Sequence, residues 1–252
     1  MDNNPFSLEG LRILITGAAS GIGRQTAIEC AKLGACLELV DINEDLLKAV
    51  HKEISEYSSG HHFHQVDLTN DEQIFALARD IDPIYGCVNN AGVGGKNLPV
   101  KFIKREHVEK ICQINSFSAI ALTQALMKQK KIEQGGSIVF TASIAGFTVS
   151  NPGNTLYALS KNMINTYVKG VALELAGQQI RCNTVNPGTV NTPLISRGAI
   201  TDEDREKDKA IYPLKRYGEP SDIAYSIIFL LSKASSWITG THLIVDGGRS
   251  LI

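Results

Sequence analysis

Short β-rich runs alternate with longer helical patterns along almost the whole chain, and this alternation constrains the fold more than any other feature. The runs "LRILIT" (11–16), "CLELVD" (36–41), "HHFHQVD" (61–67), "IYGCVNN" (84–90), "GGSIVFTAS" (135–143), "QIRCNTVNPG" (179–188) and "THLIVDGG" (241–248) read as strands. Helical spacing predicts helices over 21–34, 44–57, 71–80, roughly 104–131, roughly 154–176 and about 220–233. Strict alternation argues for a parallel sheet with helices on both faces and right-handed crossovers. With 252 residues there is enough chain for a large core, and no linker-like stretch or repeat divides it, so one domain is expected over 1–252. The rhythm breaks at 189–215, a charged segment ("TDEDREKDK") interrupted by Pro193 and Pro213. Long loops of this kind serve as lids over substrate sites or as solvated excursions.

"TGAASGIG" (16–23) follows the first strand and opens the first helix. Glycine permits the sharp turn and the close approach of backbone to a phosphate, and the helix start offers free N–H groups and a positive dipole end. The spacing G-x-x-x-G-x-G is not the usual dinucleotide fingerprint, and no GK[ST] follows, which argues against a nucleotide triphosphate loop. Asp41 closes the second strand, where a carboxylate can accept from adenosine ribose hydroxyls and repel a 2′-phosphate. With Ser20 rather than a basic residue before Gly21, the cofactor expected is NAD (NADH) in preference to NADP. The other reading of Asp41 is a cap for the helix at 44–57.

"YALSK" (157–161) places Tyr157 and Lys161 four residues apart, neighbours on a helix. A free tyrosine, with a pKa of about 10, is too weak an acid for neutral-pH proton transfer; a nearby ammonium favours the phenolate and lowers that value. Ser143 ends the fifth strand at the carboxyl edge, where open α/β sheets bind ligands. Ser137 and Ser160 are weaker candidates, at a strand start and inside the motif. Asn115 sits mid-helix in "CQINSFSAIAL", an unfavourable place for Asn and readable also as an exposed polar position.

From "TGAASGIG" through "VDLTN" (66–70), "NNAG" (89–92), "YALSK", "NPGTVNT" (186–192) and "DGG" (246–248), the chain resembles the short, single-domain branch of the short-chain dehydrogenase/reductase family. Within that branch it looks most like the 3-oxoacyl-[acyl-carrier-protein] reductase-like enzymes. The resemblance implies an α/β Rossmann-type doubly wound sheet of seven parallel strands in order 3-2-1-4-5-6-7. It implies a catalytic set of Asn115, Ser143, Tyr157 and Lys161, with Ser143 holding the substrate oxygen and Asn115 kinking its helix and holding a water near the lysine. It implies cofactor contacts from Gly17, Ser20, Gly21, Ile22, Gly23, Asp41, Asp67, Leu68, Asn89, Ala91, Gly92, Tyr157, Lys161, Pro187, Gly188, Val190 and Thr192. Thr192 also reads as a helix cap before Pro193. The expected activity is interconversion of a secondary alcohol and a ketone, with Phe147, Val149, Asn151, Asn154 and the 189–215 loop around the substrate. Many reductases of this type prefer NADPH, and Asp41 departs from that pattern, which leaves acyl-carrier reduction as the alternative. A non-catalytic NAD-binding sensor would usually lack the Tyr, Lys or Ser. An epimerase or dehydratase of the extended branch would be longer, with G-x-x-G-x-x-G. Relatives are usually homotetramers, sometimes dimers.

A formal net charge of -1 gives no electrostatic case for nucleic acid or a membrane surface. No apolar run approaches ~18 residues, and the polar N-terminus lacks the pattern of a secretory leader, so a cytoplasmic protein is expected. Five cysteines without a CxxC read as reduced, mostly buried thiols. "HHFH" (61–64) would put His62 and His64 on one strand face, but no second His/Cys cluster supplies further ligands, so no metal is assigned.

Overall fold

The computed structural model describes residues 4–195 and 201–252. Seven strands form one parallel sheet: β1 (Arg12–Thr16), β2 (Cys36–Asp41), β3 (His62–Gln65), β4 (Ile84–Asn89), β5 (Ile132–Thr141), β6 (Arg181–Pro187) and β7 (His242–Val245). Their order is β3-β2-β1-β4-β5-β6-β7, as the resemblance implied. The helices are α1 (Gly21–Lys32), α2 (Glu44–Ile54), α3 (Asp71–Asp80), α4 (Arg105–Cys112), α5 (Ser118–Lys128), α6 (Thr155–Leu175), α7 (Asp202–Ile211) and α8 (Pro220–Leu231).

Two apolar layers follow from strand alternation, since successive side chains point to opposite faces. Ile13, Ile15, Leu37, Leu39, Val88 and Val185 pack under α1, α2 and α8. Leu14, Val40, Cys87, Ile138, Phe140 and Cys182 pack under α3, α5 and α6. Burial on both faces explains why the central strands are nearly continuous apolar runs.

Three elements differ from the sequence expectation. The helix expected over 104–131 is broken by a π-helical turn, Gln113–Phe117, with α4 before it and α5 after it. The fifth strand begins at Ile132, ahead of Gly135, which takes φ +81°. The charged stretch contains α7, whose start is capped by Thr201 accepting from the Asp204 amide (3.1 Å). Residues 196–200 of the expected 189–215 loop lie outside the described residues.

The two histidines of "HHFH" do share a face, and what they meet is a carboxylate. Glu38, 2% exposed, accepts from Arg12 (2.6 Å), His62 Nδ1 (3.1 Å) and His64 Nε2 (2.7 Å). Burial pushes Glu38 up, but the bonds from His64, His62 and Arg12 outweigh it and hold the carboxyl at about 2. Of the cysteines, Cys30, Cys87, Cys112 and Cys182 are buried, Cys36 is half-buried, and all five are free.

Candidate active site

The site grows from the carboxyl ends of β1 and β4, where the strand order reverses direction. Thr16 is the hub. Its hydroxyl accepts from the amides of Asn90 (2.9 Å) and Ala91 (3.0 Å) and lies 3.3 Å from the Val88 carbonyl, to which it donates. Asn90 Nδ2 donates to the Thr16 carbonyl (3.1 Å). These bonds lock "NNAG" against the glycine turn. A Cβ on Gly23 would sit 2.1 Å from the Gly17 carbonyl oxygen, so only glycine fits there. Gly17 itself takes φ +65° with Ala91 Cα 3.0 Å from where its Cβ would be. Asn89 belongs elsewhere: its amide donates to Thr123 of α5 (3.3 Å), because alternation turns it into the core and Asn90 into the crevice. The sequence reading assigns Asn89 to Gly92 jointly to the central sheet and the ribose; strand period separates Asn89 from Asn90.

The start of α1 is built differently from its neighbours. Asn43 and Asn70 cap α2 and α3 with side-chain bonds, and each first turn carries two acids. Ser20 makes no side-chain cap bond, and the first turn of α1, with Ile22 between the two glycines, has no acid. Uncapped N–H groups without a nearby carboxylate favour an anion, so this turn fits the pyrophosphate of a dinucleotide. Asp41 reaches back to it: Oδ2 accepts from Ala19 N (3.1 Å) and Oδ1 from Asn43 N (3.0 Å). Each oxygen retains lone-pair capacity for a ribose hydroxyl. Asp67 and Leu68 stand at the exit of β3. Asp67 accepts from the Thr69 amide (2.8 Å) and hydroxyl (2.7 Å), the amide first in holding it below the usual carboxylate range, while Leu68 packs on the core.

The turn after β6 closes the other side. Pro187 ends the strand, its carbonyl accepting from Ile144 N (3.1 Å), and Gly188 N donates to Val245 O (3.1 Å). A Cβ on Gly188 would lie 3.1 Å from Asp246, a tight approach that glycine relieves. Val190 bridges to Gly218, and Thr192 Cγ2 comes within 3.3 Å of where a Gly21 Cβ would be. The "NPGTVNT" and "TGAASGIG" segments therefore meet. Tyr212, after α7, ties down the same turn by accepting from Thr189 N (3.0 Å) and donating to its hydroxyl (2.8 Å).

Asn115, Ser143, Tyr157 and Lys161 converge beside Gly92. A Cβ on Gly92 would lie 3.1 Å from both Asn115 Oδ1 and Lys161 Nζ. Asn115 occupies the π-helical turn, 2% exposed; the extra residue of that turn swings its amide to Val93 and Ser160. Lys161, 5% exposed, donates to the Thr141 carbonyl (2.8 Å), and burial brings its amine down to about 8. Tyr157 is half-buried; desolvation pushes its phenol up, and Ser143 pulls it back down. The lowering expected from Lys161 does not outweigh burial here. Desolvation penalises the phenolate, and one of the three ammonium protons of Lys161 goes to Thr141. Ser137, by contrast, donates to Leu230 in the core (2.7 Å).

The residues expected around the substrate fall in two places. Val149, Asn151 and Asn154 border an open depression of about 240 Å³ with Thr155, Ala158, Leu159 and Asn162. Those α6 positions lie on the helix face opposite Tyr157 and Lys161. Phe147 is drawn off to stack edge-on against His242 at 5.3 Å. The cause is the loop after β5, which folds back through a Gly146 N to Val149 O bond (2.7 Å). What borders Tyr157 is Gly95, whose Cβ would lie 3.7 Å from the Tyr157 Cβ, with Leu194 against Gly94 at 3.6 Å. The Gly94–Gly95 pair was the available signal for this wall. Among the described residues no group of three or more His, Cys, Asp or Glu is placed to hold a metal. No helix is long and apolar enough to cross a membrane among those residues.

Comparison with known proteins agrees with this geometry. A family model described as Enoyl-(Acyl carrier protein) reductase matches residues 17–250. The 3-oxoacyl-[acyl-carrier-protein] reductase FabG of Thermotoga maritima is 35% identical over 245 residues, covering 96% of this chain and 98% of that protein. The 3-ketoacyl-(acyl-carrier-protein) reductase of Brucella melitensis, solved with NADH, superposes with a TM-score of 0.86 at 30% identity, covering 97% of this chain and 100% of the other. A structure described as a candidate NAD(P)-dependent gluconate 5-dehydrogenase of Beutenbergia cavernae, with NADP at low occupancy, gives 0.92 at 28% identity, covering 99% and 100%. The chain belongs to the short-chain dehydrogenase/reductase family, an oxidoreductase family acting on CH–OH groups, and is related within it to the 3-oxoacyl-[acyl-carrier-protein] reductases.

Proposed function

We propose that this chain is an NAD(H)-dependent oxidoreductase that interconverts a secondary alcohol and a ketone, with Tyr157 as the acid/base. The observation that carries the reading is the convergence of Asn115 Oδ1 and the buried Lys161 Nζ beside Gly92, one helical turn from Tyr157. The glycine turn at 17–23, Asp41, Ala91, Gly92 and the 187–192 turn would hold the dinucleotide. Asp67 and Leu68 would border its adenine. When bound, nicotinamide supplies or accepts the hydride. Tyr157 passes its proton to the substrate oxygen in reduction and takes one in oxidation. Ser143 fixes that oxygen, and Lys161 stabilises the phenolate left after proton donation. The 93–98 segment, Leu194 and the region around α7 would line the substrate.

Asp41 favours NAD, because a 2′-phosphate beside it would meet a like charge. The alternative is 3-oxoacyl-[acyl-carrier-protein] reduction, supported by the relative from Thermotoga. A homotetramer or dimer acting in the cytoplasm on a small molecule is the working assignment. The test is a screen of secondary alcohols and ketones, with an acyl-carrier-bound ketone included, using NADH and NADPH. Tyr157→Phe should abolish turnover while NADH still binds; appreciable remaining activity would sink the tyrosine assignment.

A further inference from the structure

Ser160 is fully buried in the turn of α6 that carries Tyr157 and Lys161. Its Oγ donates to the Tyr157 carbonyl (2.8 Å) and accepts from Asn115 Nδ2 (3.0 Å). A hydroxyl has one proton, so these two bonds fix its direction. The other Asn115 amide proton goes to the Val93 carbonyl (3.0 Å), which leaves Asn115 no donor for a substrate. A continuous chain of bonds therefore runs from Val93 at the exit of β4, through the π-helical turn, to the backbone of Tyr157. Ser116 Oγ, from the same π turn, donates to the Ser160 carbonyl (2.5 Å) and clamps the two helices without touching Asn115 or Tyr157.

We infer that Ser160 is a positioning residue: it sets where the Tyr157 turn stands relative to the Asn115 turn, and so where the phenol points. The inference rests on the oxidoreductase reading. Removing the Ser160 hydroxyl strands one Asn115 amide proton in a buried place and frees the turn to shift. Displacements of about 1 Å at a reacting group lower rates by roughly a hundredfold.

The test compares Ser160→Ala, Ser160→Thr and Ser116→Ala. Ser160→Ala should lower kcat roughly ten- to a hundredfold while KM and the Kd for NADH move less than about twofold. Ser160→Thr, which keeps the hydroxyl, should recover most of the loss. Ser116→Ala should lower the melting temperature and leave kcat within about twofold. An unchanged kcat in Ser160→Ala, or a loss matched by Ser116→Ala, overturns the inference. If Ser160→Ala fails to fold, Ser160→Cys takes its place with the same two outcomes. A wild type without turnover on any alcohol or ketone sinks the oxidoreductase reading instead. Ser160 is then judged by ultraviolet titration of the Tyr157 phenol, read as the difference from Tyr157→Phe. Ser160→Ala should shift that midpoint as the phenol is displaced, and an unmoved midpoint overturns the inference.

Discussion

Asn115 and Val93 hold each other by two hydrogen bonds: Oδ1 accepts from the Val93 amide at 2.7 Å, and Nδ2 donates to the Val93 carbonyl at 3.0 Å. The side-chain amide imitates a neighbouring strand and continues the pairing of β4 past its last residue. An aspartate in this place could only accept. Its charge would face the Val93 carbonyl and the Ser160 hydroxyl, whose proton is already committed to Tyr157. Asn115→Asp is therefore expected to cost about 2–4 kcal/mol of stability, from a buried charge and lost donors. Urea unfolding at neutral pH measures it, and a loss below about 1 kcal/mol would contradict the account.

Lys161 carries a stability cost with a definite pH dependence. Its amine is brought from 10.5 to about 8 by burial. Below about 8 it is charged in both folded and unfolded chains, and the folded protein bears the full penalty. Between about 8 and 10.5 the folded chain releases the proton while the unfolded chain keeps it, so this contribution to stability rises with pH. Lys161→Met should thus stabilise the protein by about 2 kcal/mol near neutral pH, after the lost bond to Thr141 is offset, while turnover disappears. The advantage should shrink as pH approaches 10.5 in chemical denaturation. A Lys161→Met protein less stable than wild type at neutral pH would overturn the prediction.

Glu38 has the opposite dependence. Its folded value of about 2 lies below the ordinary 4.5, so its contribution is complete above about 4.5 and is lost as pH falls toward 2. Glu38→Gln should cost about 3 kcal/mol near pH 7. Paired urea titrations at about pH 7 and about pH 3 should find the deficit less than half as large in acid. A deficit independent of pH would mean that packing, and not the charge shared with Arg12, His62 and His64, holds this corner of the sheet.

The fold was legible because the strands are buried on both faces, which forces apolar runs such as Ile13–Ile15 that survive in any reading of the sequence. The glycine turn and the "YALSK" spacing were legible for a similar reason: each residue there answers to a local requirement. The break at Asn115 was legible only through the resemblance, which implies an Asn that kinks this helix, because α4 and α5 flank the π-helical turn with continuous helical spacing. The distinction between Asn89 and Asn90 lies in the strand period, but the motif "NNAG" conceals it. The course of the loop after β5 was not legible: Phe147 stacks on His242 of β7, while Gly153 meets Asn97 and Leu98. α7 was unreadable as an element because its sequence is nearly all charged, and its helix rests on the Thr201 cap and pairs such as Glu203 with Lys207 (2.7 Å).

Asp41 offers the sharpest test of cofactor choice. Its carboxylate is already fixed by Ala19 N and Asn43 N, so it stands in place before any ribose arrives and cannot easily swing away from a 2′-phosphate. Like-charge juxtaposition of this kind costs several kcal/mol, which as a ratio of kcat/KM is at least about a hundredfold in favour of NADH. Asp41→Ala removes the repulsion and the ribose acceptor together, so NADH should lose efficiency while NADPH gains it. The NADH/NADPH ratio is expected to fall by at least about tenfold, measured by nicotinamide absorbance with the best substrate from the screen. The change should be modest in stability, because the Asn43 amide is near solvent and the remaining Ala19 bond is partly exposed. A wild type that already prefers NADPH would show that Asp41 is held by these amides for the turn alone, and the carboxylate would then read as the structural tie between β2 and the glycine loop.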